Sequence, residues 1–280
     1  MGNDFEDDFD DTEVLATVSA SDSPQATITA DASKGKRKRE AYKAKKAKRR
    51  KRAIEDNDEA HLIFEEGKGG VNTAIAKLDP QLIADYVGQK VKRFEKELSA
   101  VELEDRYIPA SAFLDMTSWE KDRNLENLSE FMETFSRYKG RGASLKKASP
   151  ITGTPHTLII TAAAIRSADI TRAVRKFQSK ENAVAKLFAK HIKLKDSIEY
   201  CQKTRIGIGV GTPGRLLALI KEDALKLDDL KRIIIDASQI DEKKRGIFDI
   251  KETQKDVMDL LCSGELRTRL LDASTSIILY

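Results

Sequence analysis

The chain has 280 residues, enough for one or two domains, and its 50 Lys and Arg against 46 Asp and Glu leave a net charge of only +4. Its two cysteines, Cys201 and Cys262, lie far apart with no CxxC spacing, which argues against a zinc site or a disulfide framework and for a reducing compartment. No apolar run approaches the roughly 20 residues of a membrane span, and the acidic N-terminus is unlike a secretory signal, so a soluble intracellular protein without membrane contact is expected.

The average charge hides an asymmetry. Residues 1–33 contain nine acidic residues and no basic one. From Lys34 onward the balance inverts. Lys34, Lys36, Arg37, Lys38, Arg39, Lys43, Lys45, Lys46, Lys48, Arg49, Arg50, Lys51 and Arg52 are accompanied by a single acid, Glu40. Neither block has enough apolar residues to offset the entropy of ordering it, so residues 1–56 are expected to form a disordered, acidic-then-basic tail. Such a density of cations suits nuclear targeting or polyanion binding, and it attracts RNA phosphates through counterion release without reading sequence. The acidic block has the charge to screen it.

Residues 57–150 read as a helical segment. Asp79-Pro80 supplies a cap followed by a first-turn proline, and Leu82, Ile83, Tyr86, Val87, Val91, Phe94 and Leu98 recur at helical spacing. Thr117-Ser-Trp-Glu120 has the form of a capping box, which predicts a second helix with a stripe of Leu125, Leu128, Phe131, Met132 and Phe135. These stripes, and Trp119 with them, are expected to be core.

From about Thr154 short apolar runs alternate with amphipathic segments. TLIIT (157–161), RIGIGV (205–210), RIIID (232–236) and SIILY (276–280) read as strands. Helices are expected through Ile170, Val174 and Phe177, from Pro213, and through Val257, Leu260 and Leu261, while 184–192 fits either element. Continuous apolar strands alternating with helices predict a parallel α/β domain over 151–280, buried on both faces.

The stretch GVGTPGRLLALI (209–220) carries the question of function. Gly209, Gly211 and Gly214 satisfy the G-x-G-x-x-G spacing of a dinucleotide site, and Asp236 follows at a distance suited to a ribose. Against that reading, Pro213 removes an N–H from the loop, at least one strand–helix unit precedes the glycines, and no second half follows.

Read instead as VGTPGRL, followed by LKLDDLKRIIIDAS, the stretch resembles the part of DEAD-box RNA helicases that leads into the D-E-A-D strand. TLIITAAAIRSADITRAVRKF is similar to the strand-turn-helix that carries P-T-R-E-L there. The resemblance covers about 155–280 and implies a single degenerate RecA-like domain, with the helical segment packed on it. Thr212, Pro213, Gly214 and Arg215 then become the candidate RNA contact, a helix N-terminus whose N–H groups, dipole and guanidinium suit a phosphodiester. Thr212 is placed to cap that helix.

The departures bear on chemistry. No G-x-x-x-x-G-K-[ST] run occurs, and Gly153-Thr154-Pro155 lacks the Lys and Ser/Thr that hold phosphates and magnesium. Asp236-Ala237-Ser238-Gln239 stands where D-E-A-D is expected, and Ala162-Ala163-Ala164-Ile165 where P-T-R-E-L is. No catalytic residue, metal, cofactor or small-molecule substrate is expected, and Asp236 is read as a structural strand-end acid. Together with VAKLFAKHIKL and the charged tail, these features resemble the Cms family of nucleolar proteins. That resemblance implies a non-catalytic factor of the early small-subunit pre-ribosome (the processome) in the nucleus and nucleolus. Its implied partners are pre-ribosomal RNA and processome proteins, the alternative being a protein–protein adaptor whose 212–215 loop never meets RNA.

Overall fold

The structure is a computed structural model that describes residues 65–67, 70–138, 141–142 and 144–280. In chain order it contains a two-stranded antiparallel ribbon, β1 (Glu66–Gly67) and β2 (Val71–Asn72). Helices α1 (Pro80–Phe94), α2 (Ala100–Asp105) and α3 (Leu128–Thr134) follow, then a second ribbon of β3 (Arg137–Tyr138) and β4 (Arg141–Gly142). The main sheet has strands β5 (Thr157–Ile160), β6 (Ala183–Leu187), β7 (Ile206–Gly211), β8 (Arg232–Ile235) and β9 (Ser276–Leu279). Between them run α4 (Ala164–Ala173), α5 (Leu194–Lys203), α6 (Pro213–Lys221), α7 (Lys251–Leu261) and α8 (Gly264–Leu271).

The five strands are all parallel, in the order β6-β7-β5-β8-β9. This is the parallel α/β class expected from the alternation of apolar runs. The step from β5 to β6 runs one way along the sheet and every later step runs the other. Right-handed crossovers therefore put α4 on one face and α5, α6 and α7 on the other. Ile159, Ile160, Ile233 and Ile235 have no solvent exposure, as strands covered on both faces require. Each such side chain contributes on the order of 1.5–3 kcal/mol relative to an exposed one.

Asp79 caps α1 by accepting from the Leu82 N–H at 2.8 Å, and Ile83, Tyr86, Val87 and Val91 are buried along one stripe. Leu82 lies off that stripe and is exposed. The helix packs on α7's side of the sheet through a T-shaped contact of Tyr86 with Phe248 and an ion pair from Lys90 to Asp249 at 2.5 Å.

The second expected helix is corrected. Asp115 Oδ1 accepts from both the N–H and the hydroxyl of Thr117, so that hydroxyl closes a turn instead of capping a helix. The helix starts only at Leu128. The capping box of this region belongs to Ser99 and Glu102, at the start of α2. Trp119 is a core residue, edge-on to Phe131 at 5.3 Å.

The β9 edge is not open. Phe113 forms a parallel bridge with Ile277, and the Leu114 N–H donates to the Ile277 carbonyl at 2.8 Å. Among the described residues no helix is long and apolar enough to cross a membrane.

Ala273 follows α8 with φ 55°, the left-handed conformation that a glycine normally occupies after a helix. Ala273→Gly should raise the unfolding free energy by about 0.5–1 kcal/mol, the relief of left-handed strain less the added entropy of the unfolded chain. Denaturant titration checks this, and a lowered midpoint would contradict it.

Candidate functional site

The sheet brings three predicted segments to one edge. Ala162–Ile165 follows β5, 212–215 follows β7 and Asp236 follows β8, all at the carboxyl ends of adjacent parallel strands. The helices after β5 and β7 leave toward opposite faces, as the strand order reverses direction between them.

Gly153-Thr154-Pro155 lies at the other edge. It precedes β5, and Gly153 pairs through its backbone with Thr204 and Lys226, which lie ahead of β7 and β8. A phosphate loop follows its strand, so this segment has the wrong position as well as the wrong side chains.

Gly209 and Gly211 belong to β7 itself, fully inside the sheet. A methyl group at Gly211 would stand 2.1 Å from the Leu187 carbonyl oxygen, and one at Gly209 would stand 2.9 Å from both Leu158 Cδ2 and Leu187 Cδ1. Both glycines thus admit β6 against β7. The dinucleotide spacing arises from strand packing, and its first two glycines do not line a loop.

The loop proper begins at Thr212, which occupies the N-cap position of α6 with φ −89° and ψ 147°. Its side chain makes no capping bond; the cap is the backbone one, Leu216 N–H to the Thr212 carbonyl at 3.1 Å. Pro213 opens the helix and is buried, and Gly214 is exposed beside Asp256 of α7.

Arg215 is half-buried and turned toward α5. Its Nη1 donates to Ser197 Oγ and its Nη2 to the Ile192 carbonyl, both at 2.9 Å. The guanidinium thus ties the start of α6 to the chain entering α5.

Asp236 is held in a buried ion pair. Its side chain is 2% exposed and takes a bidentate pair from Arg166, Nε to Oδ2 at 2.7 Å and Nη2 to Oδ1 at 3.0 Å. Burial pushes its carboxyl up, and the guanidinium opposes that shift. Ala237, the neighbour where a catalytic glutamate is expected, is buried and offers only backbone, its N–H donating to the Tyr280 carbonyl at 2.8 Å.

Arg166 is the residue that sequence reasoning missed. It lies one turn into α4, in the segment similar to P-T-R-E-L, and nothing in the spacing announces a partner 70 residues away. Two other titratable groups are shifted by burial. His156 is buried with Nδ1 2.8 Å from Thr157 Oγ1, and burial lowers it to about 4. Burial raises the Cys201 thiol to about 11. The basic run Lys34–Arg52 lies outside the described residues.

Comparison with known proteins places the chain. Residues 19–280 match the family model described as a U3-containing 90S pre-ribosomal complex subunit, CMS1. Protein CMS1 of Chaetomium thermophilum is 47% identical over 230 residues, covering 82% of this chain and 89% of that one. Protein cms1 of Schizosaccharomyces pombe is 31% identical over 201 residues, covering 72% and 70%. A solved DEAD box protein from Methanococcus jannaschii is similar over 57% of this chain and 37% of its own length, with 13% identity and a TM-score of 0.32. A family match over nearly the whole length, with relatives aligned across both the helical segment and the sheet, has one reading: the chain belongs to the CMS1 family of 90S pre-ribosomal complex subunits, proteins of ribosome biogenesis.

Proposed function

We propose that the chain is a non-catalytic subunit of the early small-subunit pre-ribosome in the nucleolus. In this reading Lys34–Arg52 directs nuclear accumulation and holds pre-ribosomal RNA. The folded unit docks on RNA or processome proteins as a rigid module, with 212–215 as its RNA contact. The observation that carries the non-catalytic part is the state of the carboxyl edge. Asp236 is neutralised by Arg166 instead of facing a metal, Ala237 has no carboxylate to act as a base, and no phosphate-loop sequence exists to hold a nucleotide.

The purified protein should therefore neither bind ATP nor hydrolyse it, with or without RNA. Equilibrium binding of labelled ATP and a phosphate-release assay check this. RNA-stimulated hydrolysis that persists through purification and is lost in Asp236→Asn would overturn it.

A second reading is favoured by one observation. Arg215 already donates to Ser197 and Ile192, so the 212–215 loop has a structural use that needs no RNA. In that reading the folded unit is a protein–protein adaptor and RNA contact is left to the tail. Arg215→Ala separates the two, since weaker RNA binding by a tail-deleted protein is expected only if the loop meets a phosphate.

A further inference from the structure

Among the described residues, one flank of the sheet is uncovered. Nothing among them pairs with β6 on the side away from β7 beyond the Ser179–Asn182 bridge at its start. The direction of the free groups follows from the ladder. The carbonyls of Gly207 and Gly211 accept from His156 and Thr161 on the β5 side, so the even-numbered carbonyls of β7 face β6. With Ala185 opposite Gly209, the N–H groups of Ala185 and Leu187 serve that ladder. The N–H and C=O groups of Val184 and Lys186 consequently point outward.

A groove of about 410 Å³ runs along this edge, with Val184 and Lys186 as its strand wall. Arg175 borders it on the α4 side, and Ile192 and Tyr200 on the α5 side. Tyr200 is 41% exposed, an aromatic ring left in water beside unused backbone donors. The groove's α5 wall is the one that Arg215 braces, through Ile192 and Ser197.

Of the charged groups lining the groove, Arg175 and Lys186 outnumber Asp196, and Lys190, Lys193 and Lys195 flank the lining residue Ile192 in sequence. Arg175, Lys186, Lys190, Lys193 and Lys195 are exposed, and none has an ion-pair partner among the described residues. Asp196 is the single acid lining the groove, while the nearby Glu181 and Glu199 are taken up by Arg205 and Lys203. From this edge and this charge we infer that β6 accepts an extended acidic peptide segment of a partner protein as a sixth strand of the sheet. Backbone pairing at 184 and 186 supplies register, Tyr200 and Ile192 take alternate apolar side chains, and the lysines meet the acids between them. Single-stranded RNA would satisfy the cations and the ring, but it has no backbone of alternating N–H and C=O groups to pair in register with both the outward donors and the outward carbonyls of 184 and 186. The inference is independent of whether 212–215 contacts RNA.

The test uses the full chain and a synthetic peptide of about eight residues, within the usual range of strand lengths and long enough to span β6, alternating Val with Glu. Hydrogen exchange should show new protection at the Val184 and Lys186 amides on peptide addition. Lys186→Pro deletes an outward N–H that β7 does not use, and fluorescence anisotropy should show binding weakened about fivefold to tenfold, the loss of one edge hydrogen bond. Should that variant fold poorly, Lys186→Glu keeps the backbone and should weaken binding in a salt-dependent way. A peptide of the same charge with proline at every second position should fail to bind. The inference is overturned if the proline peptide binds equally well, if single-stranded RNA protects the same amides in its place, or if millimolar peptide protects neither amide.

Discussion

Replacing Asp236 by alanine should lower the unfolding free energy by about 3–5 kcal/mol, the loss expected when one partner of a buried ion pair is removed and the other stays behind. The carboxylate is 2% exposed and satisfies two donors of Arg166, whose own side chain is 16% exposed. Its removal leaves a largely buried guanidinium without its counter-charge. Denaturant titration measures the loss. Pairing Asp236→Leu with Arg166→Met should recover much of it, because two apolar groups leave no uncompensated charge. An acid held ready for a metal or a proton would behave in the opposite way. It is a strain on the fold, and its removal would leave stability unchanged or raise it. A neutral or stabilising Asp236→Ala would therefore restore the possibility of chemistry at this edge.

Deleting residues 1–56 should flatten the salt dependence of RNA binding. The run from Lys34 to Arg52 carries thirteen cations. At roughly 0.7 of a counterion per phosphate neutralised on a single strand, its full engagement contributes up to about nine units of log–log slope. Affinity between 50 and 200 mM salt should then fall by orders of magnitude in the intact chain and far less in the deleted one. Arg215→Ala in the intact chain should reduce the slope by only about one unit. If the tail-deleted protein retains no RNA binding for Arg215→Ala to weaken, the loop is a brace between α6 and α5, and the adaptor reading takes precedence.

The strands were legible because burial on both faces leaves a plain trace. TLII, IGIGVG, RIII and SIIL are short continuous apolar runs between turn residues, and the structure places each in the sheet. The stretch 184–192 fits either element in sequence; the structure makes its first part the edge strand β6, with Lys186 exposed in it. The helical segment was harder. Thr117 to Glu120 has every local feature of a capping box, yet a carboxylate two residues back captures the threonine first.

At the site, composition told which groups are missing but not what the remaining ones touch. The absence of a phosphate loop leaves Asp236 without a metal to serve in the sequence reading, but nothing there points to its partner Arg166, because the pair is made only when β5 and β8 align. Gly209 and Gly211 mimicked a dinucleotide loop for a reason visible only in three dimensions, the close approach of Leu187.

The central claim is that this chain serves the pre-ribosome by holding its RNA. Crosslinking the protein to RNA in living cells and sequencing the attached fragments measures that directly. The account predicts fragments concentrated in pre-ribosomal RNA and strongly depleted when Lys34–Arg52 is removed. Recovery of protein crosslinks alone, with no pre-ribosomal RNA above background, would contradict it.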